Sequence, residues 1–81
     1  MLVDIQRVDP TSISAEDVPS HVFLLQQNGA SRAEQILFVD AALCGEMRAE
    51  MLYMSVTGVE SPKRKASIEA LDRLLRLLRT P

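Results

Sequence analysis

Cys44, Met47, Met51 and Met54 recur at spacings of three, four and three, which places their sulfurs on one face of an α-helix. Thiolates and thioethers are the ligands Cu(I) prefers. The same residue types are also adaptable packing groups, since Met is unbranched and fits irregular surfaces. The surrounding sequence separates the two readings: it has no Cys-x-x-Cys, no His nearby and no second Met cluster. One helix face cannot wrap four ligands around an ion, so the stripe reads as packing, in a core or against a partner, and no metal is expected.

The remaining reactive groups are scattered. His21 is the only histidine, and no local signature joins it to Cys44 as a nucleophilic pair. Gly29, Gly45 and Gly58 are isolated, so no phosphate-binding loop or dinucleotide fingerprint occurs. Asp40 falls inside an apolar helix face, where an unpaired carboxylate is costly. It either reaches water at the edge of the stripe or pairs with Arg73, Arg76 or Arg79, and a role as general base ranks last. The chain is expected to be no enzyme and to carry no cofactor.

The elements that position these residues follow from punctuation and periodicity. "TSIS" and Pro10 suggest that residues 1–17 form a flexible or extended segment, in which "LVDI" is at most a lone strand. Pro19 suits a first helical turn and Asn28-Gly29 a stop, giving a helix near 18–28. Ser31 and Glu34 stand at capping-box spacing, and Gly58 suits the left-handed residue after a helix end, giving a second helix near 32–57. Gly45 interrupts it, marking a kink or a close approach by another backbone. Ser61-Pro62 opens a third helix near 62–79, carried by Ile68, Leu71, Leu75 and Leu78. Glu69 with Arg73 and Asp72 with Arg76 are acid-before-base pairs at i,i+4, while Lys63-Arg64-Lys65 oppose the positive end of the helix dipole.

Projected at 100° per residue, the long helix shows Ala33, Ile36, Leu37, Leu43, Cys44, Met47, Met51 and Met54 on one face, which reads as the core face. Phe38, Ala42, Ala49, Leu52, Tyr53 and Val56 form a second apolar group roughly opposite. A helix apolar on two faces must be covered on both, and the two shorter helices are small for that task.

With 81 residues, the chain has room for one domain that buries roughly 60% of the surface its unfolded form exposes. It is 47% apolar but only 4% aromatic, so its core must be aliphatic, which favours helices over a sandwich. A single cysteine excludes an internal disulfide, no apolar run can span a bilayer, and "MLVDIQRVDP" does not resemble a secretory signal, so the cytoplasm is the expected location. Charge is uneven: residues 1–60 carry nine acidic and three basic residues, net −6, and residues 61–81 carry six basic and two acidic, net +4. Such segments attract each other, within a chain or between subunits, or serve an anionic partner.

Nucleic acid is one such partner. "LLQQNGASRAEQIL" has the outline of a helix-turn-helix with Arg32 and Gln35 at the reading position, but the region is acidic and its second helix is apolar on two faces. "SPKRKAS" with Arg73, Arg76 and Arg79 is the better anionic-ligand candidate, against the plainer reading of a solvated helix face. "SPKR" and "RKAS" also match phosphorylation patterns that arise often by chance. "LYMS", Lys65, Ala70 and "LLR" at 74–76 resemble the C-terminal portion of type III secretion needle and inner-rod subunits, small helical hairpins that assemble. "GVESP" falls where those subunits continue as helix.

The expectation is therefore an all-α, small three-helix domain, a helical hairpin plus a short N-terminal helix, completed by dimerisation or by a partner. It should act as a protein–protein interaction module: a dimeric regulator, adaptor or chaperone-like subunit. Ile36, Phe38, Leu43, Met47, Met51, Leu52, Tyr53 and Met54 would supply the apolar contact, and Arg73, Arg76 and Arg79 would steer toward acidic surface. The alternatives are a nucleic-acid-binding regulator using residues 63–79 and a small helical subunit of a secretion or other assembly.

Overall fold

A computed structural model describes residues 8–81, so the "LVDI" reading lies outside the described residues. Two short 3-10 turns, Pro10–Ser12 and Ala15–Asp17, lead into α1 (Val18–Gln27), α2 (Arg32–Thr57) and α3 (Pro62–Arg79). The described residues contain no strand. The fold of the described residues is all-helical.

The boundaries are set by the side chains that suggested them. Ser31 Oγ accepts from Glu34 N at 3.1 Å and Ser61 Oγ from Arg64 N at 3.3 Å, each satisfying a backbone donor left free at a helix start. Gly58 closes α2 in the left-handed region, φ 75°, with its N–H donating to Met54 O at 2.8 Å. The chain then turns back, so "GVESP" is a loop and not a continuation of helix. Ahead of α1, Asp9 accepts from Thr11 N at 2.9 Å and Thr11 Oγ1 at 2.7 Å. These bonds, the side-chain one first, hold its carboxyl below the usual carboxylate range. Their help to the turn is present at neutral pH and is lost as pH falls through that lowered value.

The core is aliphatic with one ring. Val18, Val22 and Leu25 of α1, Phe38, Val39, Ala42 and Leu43 of α2, and Leu71 and Leu75 of α3 are buried together. Ile13, Ala15, Ile68, Leu74 and Leu78 pack around them. α3 runs antiparallel to α2: Ser61 at its start bonds Glu50, and Thr80 at its end accepts from Arg32. α1 crosses α2 at Phe38, whose ring stacks on His21 with centroids 5.3 Å apart and planes 7° apart.

This arrangement reverses the expected core face of α2. Of the residues assigned to it, Leu43 is buried and Ile36 half-buried, but Leu37, Met47 and Met51 are 68%, 50% and 73% exposed. The face that α1 and α3 cover is the other one. Because α2 carries apolar residues on both sides, periodicity reveals two candidate faces without ranking them. The ranking comes from tertiary partners, namely the ring of His21 and the Gln26 amide of α1 and the leucines of α3. Gln35 is itself buried, donating to Ala30 O at 3.1 Å and accepting from Gln26 Nε2 at 3.0 Å.

Gly45 marks a close approach, and the approaching group belongs to the same chain. A Cβ at position 45 would lie 3.1 Å from Thr11 Cγ2 and 3.4 Å from Thr11 Cβ, so the absence of a side chain lets the 10–12 turn settle on α2. Gly45→Leu should force that turn off the helix at a cost of about 1–3 kcal/mol. The expected result is a lower denaturation midpoint, with limited proteolysis cutting within residues 8–17 sooner than in the parent chain.

Candidate interaction surface

The lengths of the two long helices create the surface. At 1.5 Å per residue, the 26 residues of α2 span about 39 Å and the 18 of α3 about 27 Å. Because Ser61 is bonded near residue 50, the excess appears at one end, and every residue from Met51 to Glu60 is exposed. The molecule is correspondingly flat, 44 × 31 × 16 Å.

On this overhang Leu52, Tyr53, Met54, Val56 and Val59 are exposed. Along the outer face of α2, away from α3, Leu37, Cys44, Met47 and Met51 continue the apolar area toward the helix start. Beside Leu37 lies an open depression of about 330 Å³ lined by Val8, Pro10, Leu25, Glu34, Leu37 and Phe38. Asp40 sits half-buried on this outer face and forms no ion pair among the described residues.

The candidate partner-binding residues are thus divided. Met47, Met51, Leu52, Tyr53 and Met54 share the exposed surface. Phe38 and Leu43 are in the core and unavailable to a partner, and Ile36 is half-buried against the core. Arg73, Arg76 and Arg79 are exposed on α3, and Arg76 is held by Asp72 at 3.0 Å. Four exposed residues escaped the sequence reading of the contact surface: Leu37 and Cys44, assigned to the core face, Val56, placed in the second apolar group, and Val59, hidden in a loop. The detectable signal was the short reach of the third helix, whose start at Ser61 cannot cover what precedes it by two turns.

The charge asymmetry closes partly within the chain. Arg64 Nη1 lies 3.3 Å from Glu50 Oε1, and Arg64 Nε lies 3.6 Å from Glu46 Oε2. Glu50 Oε2 also accepts from Ser61 N at 2.9 Å, and the Arg64 guanidinium lies 5.6 Å from the centre of the Tyr53 ring. These acidic partners offset the unfavourable placement of Arg64 in the first turn of α3. Lys65 pairs with Glu60 at 3.6 Å, both well exposed, a contact worth little.

The candidate reactive groups do not converge. His21 lies against Phe38, its Nε2 buried and without a hydrogen-bond partner among the described residues, whereas Cys44 is exposed on the outer face of α2. Among the described residues, no set of three or more His, Cys, Asp or Glu is arranged to hold a metal, and no helix is long and apolar enough to cross a membrane. The chain matches no family profile, and neither a curated protein nor a solved structure is detectably similar to it.

Glu50→Ala removes the acceptor for Ser61 N and the closer carboxylate of Arg64. It should lower stability by about 1–3 kcal/mol, read from urea unfolding. Glu50→Gln keeps an acceptor for Ser61 and should lose less.

Proposed function

We propose that this chain is a non-enzymatic protein–protein interaction module that docks through the outer face and overhanging end of α2. The observation carrying this reading is the continuous exposure of Leu37, Cys44, Met47, Met51, Leu52, Tyr53, Met54 and Val56 on a single helix. Soluble monomers seldom expose contiguous apolar patches larger than a few hundred Å², and methionines suit a contact surface because they repack against varied shapes. Arg73 and Arg79, exposed on α3, supply cations that steer an acidic partner without themselves carrying much affinity. A regulator, adaptor or chaperone-like subunit works in this way. The exposed, unpaired thiol of Cys44 fits a reducing compartment such as the cytoplasm.

The nucleic-acid reading has less support. Of the cations at 63–79, Arg64, Lys65 and Arg76 face acidic side chains of their own chain, which reduces the charge left for phosphates.

The test is a Met47→Lys/Met51→Lys variant. Both side chains are exposed, so helix content and unfolding midpoint should stay close to those of the parent, within about 0.5 kcal/mol. Affinity purification from the native host with light scattering on the eluate should find the parent in a complex, with itself or another protein, and the variant alone. A parent chain that elutes as an unaccompanied monomer at micromolar concentration, or a complex indifferent to both lysines, overturns the reading.

A further inference from the structure

Leu37, Asp40, Cys44, Met47, Met51 and Met54 follow one another at three, four, three, four and three. This alternation is the a/d pattern of a coiled-coil seam, and it lies on the side of α2 that α1 and α3 leave uncovered. We infer that the occupant of this seam is a second copy of the chain, packed antiparallel, α2 against α2. The inference rests on the reading of the outer face as a docking surface and names its partner.

Three observations select a second copy in this orientation. The first is area. Leu37, Met47, Met51 and Met54, the large apolar members of the seam, are between 41% and 73% exposed. They present several hundred Å² of apolar surface, the same order as the ~800 Å² each partner gives to a standard interface. The second is shape. A two-fold interface requires that residue i meet residue j while j meets i. In an antiparallel seam that sets a positions against d positions, Leu37 faces the second copy's Met54 and Cys44 faces its Met47, so the small side chain meets the large one. The second copy's overhang then reaches Leu37 beside the apolar depression lined by Leu25, Leu37 and Phe38. The third is charge. A parallel seam stacks Asp40 on the second copy's Asp40 amid apolar groups, a costly apposition of like charges. The antiparallel seam sets the two carboxylates 11 residues apart along the axis, about 16 Å. It also opposes the two helix dipoles.

Asp40 has a defined role in this arrangement. It is the one charged member of the seam, so it limits affinity while fixing orientation, as single polar core positions do elsewhere.

Cross-linking in a Cys44→Ala background tests the pairing, using chains that carry Leu37→Cys or Met54→Cys and a short bis-maleimide. Both sites are exposed, so the parent fold should persist, checked by helix content. A mixture of the two chains should cross-link, while Leu37→Cys alone should not, its two thiols being 17 residues apart along the axis, about 26 Å. Asp40→Leu should tighten the dimer on the order of tenfold by sedimentation. Cross-linking of Leu37→Cys with itself overturns the antiparallel seam. A monomer that binds a different protein, lost on Met47→Lys/Met51→Lys, overturns the second copy as occupant but keeps the docking surface. A dimer unaffected by those lysines and by Asp40→Leu overturns the surface itself.

Discussion

Glu50 holds the N–H of Ser61 with one carboxylate oxygen and the guanidinium of Arg64 with the other, and the layout of the molecule depends on that anchorage. It sets the axial register of α3 on α2. From there α3 runs back along the helix and ends where Arg32 reaches Thr80 O at 3.1 Å. Leu71 and Leu75 thereby fall against the side of α2 that carries Val39 and Leu43. Had α3 begun two turns further toward the C-terminal end of α2, the overhang would be covered and the start of α2 bare. The bond is thus local in extent and global in effect, because it decides which end of a helix apolar along its whole length on two faces is left uncovered.

Much of this was legible in the sequence, and the division follows a physical line. Ser31, Gly58 and Ser61 act on backbone groups within a few residues of themselves, so the helix limits could be read from local chemistry. The choice of face on α2 could not. Phe38, Ala42 and Ala49 on one side and Leu37, Met47 and Met51 on the other are equally apolar as letters, and the decision between them depends on contacts with His21, Leu71 and Leu75. The setting of Glu46 and Glu50 depends on tertiary contacts in the same way. They look like a solvent-facing strip, yet both point to Arg64 and belong to the covered side. The burial of Gln35 was also hidden, since it depends on an amide nine residues away.

The candidate site shows the same division. Its methionines were visible because their spacing is helical, and their exposure was not, because exposure is what remains after the other helices have packed. Gly45 combines both aspects. Its type signals a close approach, but only the three-dimensional path shows Thr11 as the neighbour. The surface proposed for docking is therefore the remainder of one packing decision, made on the opposite side of the same helix.

The overhang has a further consequence for energetics. From Met51 onward the last turns of α2 rest mainly on their own backbone, with Thr57 Oγ1 donating to Tyr53 O at 2.7 Å and Gly58 closing the end. Such a segment can open without the core unfolding, so its amides should belong to a less protected unit than those of residues 38–43. Intrinsic helix preference then sets how often the contact surface is formed. Ser55, Val56 and Thr57 are all weaker helix formers than alanine. Each lowers the population of the docking-ready form, whether or not its side chain touches anything. Affinity at this surface can therefore be tuned by residues outside any contact, through the ordering cost a partner must meet on arrival.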